Sequence, residues 1–185
     1  MKQRYLFRHG KKSDVKEVIG LIEARIEWMD AEGIRQWNVN HYRERYPESY
    51  FEQAAEAGQM YVLEDERSAR IVAAAILLTE DKRWGKVQGQ SYYIHNLVSA
   101  TETKDAGSEI LDRIERLSRE HGKTHVRLDC IVGNSRLNEW YERMGFRYAG
   151  TTTDGEYSGV LREKILSWDC LTIKCWQSSF FSFPI

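Results

Sequence analysis

The stretch that decides the fold runs from Ser91 to Val132, "SYYIHNLVSATETKDAGSEILDRIERLSREHGKTHVRLDCIV". Its opening, Ser91–Ala100, is rich in β-branched and aromatic residues and reads as a strand. From about Asp105 to His121 the period changes, and Ile110, Leu111, Ile114 and Leu117 recur as one apolar helical stripe. Asp112/Arg116 and Glu115/Arg119 stand at i,i+4 on the wet side, and Gly122 closes the helix. "THVRLDCIV" then alternates, with Val126, Leu128, Cys130 and Val132 on one face. Strand, helix, strand is a βαβ crossover. It should be right-handed, and it leaves a crevice at the strand ends beside the helix N-terminus.

Upstream, "RYLFRH" predicts a first strand, and Ser13 is expected to cap an amphipathic helix that ends at Gly33. A second helix is predicted over Tyr42–Ala57, with Pro47 delaying its start or kinking it. "MYVLED" and "RIVAAAILLTE" predict two strands joined by a charged turn, and Lys82–Gln90 a hairpin loop. Downstream, Asn134 or Ser135 caps a short helix carrying Leu137, Trp140, Tyr141 and Met144, which Gly145 ends. "FRYAGTTT" and "GVLREKIL" are closing strands. The order β-α-α-β-β-β-α-β-α-β-β implies an α/β fold with a mixed sheet and helices on both faces, not a doubly wound parallel one.

Bulk properties narrow the function. The 185 residues, 42% apolar and 30% charged, suit one soluble domain spanning 1–185, and no linker offers a place to divide it. A net charge of −1 gives no basic field for nucleic acid. No apolar run is long enough to span a membrane, and "MKQRYLFRHG" lacks a signal peptide's apolar core. Cys130, Cys170 and Cys175 form no CxxC pair, and His9, His121 and His125 show no metal spacing. Reduced thiols, a cytoplasmic location and no metal are expected.

The turn "ATETKDAGSEIL" (Ala100–Leu111) lies at the crevice. N–H groups at a helix start suit an anion, so the turn reads as a phosphate cradle; with Asp105 as N-cap it reads equally as a plain helix start. Similar pairs of readings attach to three side chains. Tyr141 continues a core stripe or offers a phenol to a site; Asn134 caps a helix or also reaches a ligand; His95 is satisfied by a neighbour or serves as a base near neutral pH.

Taken together, "YYIHNLV…GFRYAG" resembles the acetyl-CoA-binding core of the GCN5-related N-acetyltransferases (GNAT). "NSRLNEWYERMGF" (Asn134–Phe146) is similar to that family's segment with Asn at the helix start, an aromatic-Tyr pair and a terminal Gly-Phe. "LVSATETKDAGSEIL" occupies the place of its pyrophosphate loop, Q/R-x-x-G-x-G/A. The resemblance is good from about Met60 to Gly150, weaker over the first helices, where "EGIRQWN" resembles one bacterial branch, and it ends near Lys164. It implies a core of about 90–150 that holds acetyl-CoA as cosubstrate, acceptor-side helices over about 13–58, and an unmatched aromatic tail over about 166–185. That tail would complete the sheet, cover the cleft or bury itself in a homodimer partner.

The loop departs from the family pattern: aligned on Gly107, the usual Arg/Gln falls on Glu102 and the first glycine on Asp105. A carboxylate ~6 Å from a phosphate charge costs roughly 3 kcal/mol at an effective dielectric of ~20, before salt screens it. Lys104 offsets part of that. By resemblance, Glu102, Thr103, Lys104, Asp105, Ala106, Gly107 and Ser108 face the diphosphate, and Asn134 and Ser135 the pantetheine arm. Backbone N–H groups of Leu97 and Val98 serve the thioester oxygen if the strand bulges there. Tyr141 takes the place of the leaving-group acid, and His95 is the matched base. Trp28, Trp37 and Tyr42, with His41 and Trp84, fall on connections that overhang the acceptor cleft. The implied activity is N-acetyl transfer to a small-molecule or peptide amine in a ternary complex, without an acyl-enzyme on Cys130. The alternative is a catalytically weak GNAT-fold protein that binds a ligand or partner.

Overall fold

The computed structural model describes residues 4–85, 90–155 and 157–167. The aromatic tail with Cys170 and Cys175, and the middle of the Lys82–Gln90 loop, lie outside the described residues. The elements are β1 (Tyr5–His9), α1 (Val15–Ala31), α2 (Tyr42–Arg45), α3 (Glu48–Glu56), β2 (Met60–Asp65) and β3 (Ile71–Leu78). They continue as β4 (Ser91–Ser99), α4 (Ala106–Glu120), β5 (His125–Ile131), α5 (Ser135–Arg143), β6 (Arg147–Asp154) and β7 (Tyr157–Ile165).

The strands form one mixed sheet in the order β1-β2-β3-β4-β5-β7-β6. Only β4 and β5 run parallel, as the α4 crossover requires; the other neighbours are antiparallel. Alternation along the strands builds a core on each face. On one, Ile110, Leu111 and Ile114 of α4 pack with Tyr141, Phe146 and the Val126/Leu128/Cys130 face of β5. On the other, Val15, Val18 and Ile22 of α1 and Phe51 of α3 cover Met60, Val62, Ala74, Ile76 and Val98. Val132 leaves the β5 face and is exposed, because the strand stops at Ile131.

Two predicted helix boundaries shift. Ser13 does not cap α1: it sits inside a 3-10 turn, Lys12–Asp14, and the Asp14 carboxylate accepts the Lys11 N–H at 2.7 Å. The predicted second helix is two. Pro47 stands at the N-cap of α3 and forces Tyr46 out of the helical region (φ −127°, ψ 74°), which breaks the chain after α2. Among the described residues no helix is long and apolar enough to cross a membrane.

Asp14 also anchors β1. Arg8 Nη1 donates to Asp14 at 2.6 Å, and Arg8 Nη2 donates to Glu64 of β2 at 2.6 Å. Burial works to raise the Asp14 carboxyl, but the hydrogen bonds from Arg8 and the Lys11 N–H outweigh it, so the group titrates below its ordinary range. Its stabilisation is therefore complete above the unfolded carboxylate pKa of roughly 3.9 and is lost as pH falls through the lower folded value. Asp14→Asn is expected to cost about 1–3 kcal/mol at pH 7, with the gap to the parent closing as the pH drops below about 4, read from urea melts across pH. A gap that stays constant into acid would contradict this.

Candidate functional site

The site begins where two strands part. β4 and β5 pair from Ser91/His125 to Ile94/Leu128, then diverge, and β4 runs on to Ser99 without β5 beside it. A bulge drives the separation. Against β3, His95 pairs with Ile76 and Val98 with Ala74, so one β3 residue faces Asn96 and Leu97 together. Asn96 takes the left-handed conformation (φ 50°), which asparagine tolerates better than most residues. Its side chain is clamped: Nδ2 donates to Tyr42 Oη at 2.6 Å, and Oδ1 accepts from Tyr50 Oη at 3.1 Å. Burial pushes the Tyr50 phenol up to about 12 and the Tyr42 phenol higher, so both stay protonated. The result is a cleft of about 590 Å³ between β4, β5, α1 and α5, and Leu97 and Val98 line it.

At one end lies the turn into α4. Asp105 stands at the N-cap but with φ +64°, and its carboxylate makes no cap bond; the expected capping role does not form, since this backbone aims the side chain away from the first-turn amides. The Gly107 and Ser108 N–H groups have no partner among the described residues, and both residues line the cleft with Thr103 and Asp105. Gly107 leaves a gap that a β-carbon would fill, 3.5 Å from both Ser99 Oγ and the Trp140 ring. Glu102 and Lys104 are exposed outside the lining, and Ala106 is buried beneath the helix. Glu102 folds back on itself: its own backbone N–H holds its carboxyl below the ordinary range, with the Thr101 hydroxyl assisting at 3.2 Å. From α1, Arg25 reaches this end, donating from Nη2 to Ser99 O at 2.5 Å.

The far wall is α5. Asn134 Oδ1 accepts the Leu137 N–H at 3.0 Å as an N-cap, while Nδ2 donates to Gln36 Oε1 at 2.9 Å and ties α5 to the segment after α1. Asn134 lines the cleft; Ser135 is exposed outside it. Tyr141, only 6% exposed, meets the Phe146 ring edge-on at 5.7 Å, held there by the helix end. Gly145 adopts φ +88° and Phe146 N–H donates to Tyr141 O at 3.0 Å, a turn that a side chain at 145 would strain. Burial raises the Tyr141 phenol well above its ordinary value, helped by Cys130 and Asp129 and opposed by Arg162. Tyr141 lines the cleft with its phenol protonated, and its hydroxyl has no hydrogen-bond partner among the described residues. Cys130 donates to Asn138 Oδ1, and burial pushes its thiol up to about 11, so it is no thiolate.

At the other end His95 Nε2 lies 3.0 Å from Asp81 Oδ2. Burial works to raise Asp81, but the hydrogen bonds from His95 and the Arg83 N–H outweigh it, so Asp81 is a carboxylate. A carboxylate only accepts, so His95 donates from Nε2, and in the neutral ring Nδ1 is the free acceptor. Arg83 Nη1 donates to Asp129 Oδ1 at 3.1 Å, and Tyr157 Oη donates to Asp129 Oδ2 at 2.5 Å. Trp37, Tyr42 and Tyr46 wall this end, with Trp37 stacked on Tyr42 at 4.4 Å, while Trp28 lines the cleft with its ring 4.9 Å from the Arg25 guanidinium. His41 lies outside, exposed beside Glu44, and Trp84 packs instead under Arg127 at 4.8 Å. Asp81 and Arg83 carry no motif: they sit in a polar loop, and only the fold brings them to His95.

A family model described as the Acetyltransferase (GNAT) family matches residues 22–146. The uncharacterized N-acetyltransferase YesJ of Bacillus subtilis (strain 168) is 23% identical over 150 residues, covering 77% of this chain and 81% of that protein. A GNAT-family acetyltransferase from Listeria monocytogenes matches the structure with a TM-score of 0.70 at 22% identity, over 89% of this chain and 100% of the other. PaiA N-acetyltransferase from Thermoplasma acidophilum, solved in complex with coenzyme A, matches with a TM-score of 0.68 at 18% identity, over 88% and 99%.

The Asn96 clamp can be tested on stability alone. Asn96→Ala loses both amide bonds and keeps a strained backbone, and is expected to cost about 2–4 kcal/mol in urea denaturation; Asn96→Gly, free of the strain, is expected to cost about 1 kcal/mol less. Equal stability for the parent and both variants would show that the amide does not hold the bulge.

Proposed function

Because the chain belongs to the GNAT acetyltransferase family, we propose that it transfers the acetyl group of acetyl-CoA to a primary amine, of a small molecule or a peptide, by direct attack in a ternary complex. The observation that carries this reading is the cleft itself, with an unpartnered, protonated Tyr141 phenol and His95, backed by the buried Asp81, lining the same split between β4 and β5. In this reading residues of about 90–150 hold the cosubstrate, and the helices before β2 roof the acceptor. The unpartnered N–H groups of Gly107 and Ser108 fit a diphosphate, and the space that Gly107 leaves lets it approach.

The thioester supplies an electrophilic carbonyl; the chain supplies the proton movements. An amine arrives as an ammonium with a pKa near ~10.4 and must lose a proton before it attacks. At the acceptor end Arg83 pairs with Asp129 and the buried Asp81, and Arg45 lines the cleft within 3.7 Å of Asp154, so each arginine there is met by a carboxylate. His95 takes the proton at Nδ1 while its Nε2–H stays on Asp81, which fixes the ring and stabilises the imidazolium. At the bulge, the Leu97 N–H is the donor offered to the carbonyl oxygen, while Val98 stays paired with Ala74 of β3. Tyr141 then gives its proton to the departing sulfur; in its buried setting the phenolate is costly, so the phenol recovers a proton with each cycle.

Tyr141→Phe is expected to lower kcat by about 10²-fold or more while the acetyl-CoA Kd stays within about twofold, read by amine acetylation and calorimetric titration. Unchanged turnover would remove the proposed acid. A parent chain that fails to bind acetyl-CoA would instead be a GNAT-fold module for another ligand or partner.

A further inference from the structure

Resting on the acetyl-CoA reading above, we propose that Arg25 of α1 faces the diphosphate of the cosubstrate and supplies the charge lost where Glu102 stands in place of the loop's usual Arg/Gln. Arg25 projects from the opposite wall of the cleft, and its Nη2 bonds Ser99 twice, to the carbonyl at 2.5 Å and to Oγ at 3.2 Å. That same Oγ lies 3.5 Å from where a β-carbon of Gly107 would stand, so one hydroxyl separates the guanidinium from the unpartnered N–H groups at the start of α4.

Arg25 also has no counter-ion at contact. Arg83, which lines the same cleft, has the Asp129 carboxylate at 3.1 Å, and the buried Arg162 behind α5 has Glu142 at 3.0 Å. Arg25 has no ion pair within 4 Å among the described residues; its guanidinium lies over the Trp28 ring at 4.9 Å, and its Nε and Nη1 donors have no partner there. A half-buried, unpaired cation is costly unless an anion completes it. Burial accordingly lowers its proton affinity, with Glu102 opposing from a distance, and an arginine remains charged throughout. The fork also suits a phosphate geometrically, offering parallel N–H donors that a lysine lacks. Glu102 is held back by its own N–H and by Thr101, so its charge weakens the site without blocking it.

Calorimetric titration of the parent, Arg25→Met, Arg25→Lys and Glu102→Gln with coenzyme A, dephospho-coenzyme A and S-acetylpantetheine tests the assignment. Arg25→Met is expected to weaken coenzyme A and dephospho-coenzyme A alike by tenfold or more, and to leave acetylpantetheine, which has no diphosphate, unchanged. Arg25→Lys should retain part of the affinity. Glu102→Gln, on an exposed side chain, should tighten coenzyme A a few-fold in low salt, and it carries the test if Arg25→Met does not fold. Equal coenzyme A binding by the parent and Arg25→Met, a loss that spares dephospho-coenzyme A, or no gain in Glu102→Gln would overturn the role of Arg25 while leaving the acetyl-CoA reading intact. A parent that binds none of the three ligands would overturn that reading, and the assignment with it.

Discussion

Everything at the site depends on two parallel strands that stop being neighbours. Strand pairing satisfies backbone donors and acceptors, and giving it up inside a protein is costly unless something else takes the place of the partner. Here β4 abandons β5 after Ile94 because Asn96 inserts a bulge, and the amide of Asn96 is tied to Tyr42 and Tyr50 on the helical layer above. The same two bonds thus bend the strand, fix α2 and α3 over it and leave a row of backbone groups facing an open cleft. A ligand with amides of its own, such as a pantetheine arm, can complete that edge as a strand would.

The cleft is electrically divided. One end presents helix-start amides and an unpaired arginine, and favours anions. The other presents Asp129 paired with Arg83, and an imidazole tied to the buried Asp81. Between them stands Tyr141, protonated because its surroundings punish the phenolate. Each group's charge state follows from what surrounds it: burial for the phenol, donated hydrogen bonds for Asp81. The phenol, the imidazole and the helix-start amides all belong to residues that line one void.

Much of this was legible in the chain because local chemistry and fold agree there. The α4 stripe, the alternation of β5 and the Asn134–Phe146 segment each combine a clear period with a cap or a glycine stop, and each stands where its pattern requires. The misplaced boundaries are sites where tertiary contacts or proline chemistry override a local preference. Ser13 yields because Asp14, pulled by Arg8 across the sheet edge, takes over the start of α1; Pro47 divides one amphipathic pattern into two helices. Asp105 looks like a cap in sequence, but its left-handed backbone withholds the carboxylate. Asp81 and Arg25 left no signal at all. Each is one charged residue among others, 14 residues from His95 in the first case and 74 from Ser99 in the second, and only folding makes them neighbours.

The most direct measurement is backbone hydrogen–deuterium exchange with and without saturating acetyl-CoA. Exchange should slow at Leu97–Ser99 and at the first turn of α4 around Gly107 and Ser108, with β6 on the sheet's far edge unaffected. If those amides exchange alike in both states, or protection falls on β6 alone, the thioester does not lie between the parted strands.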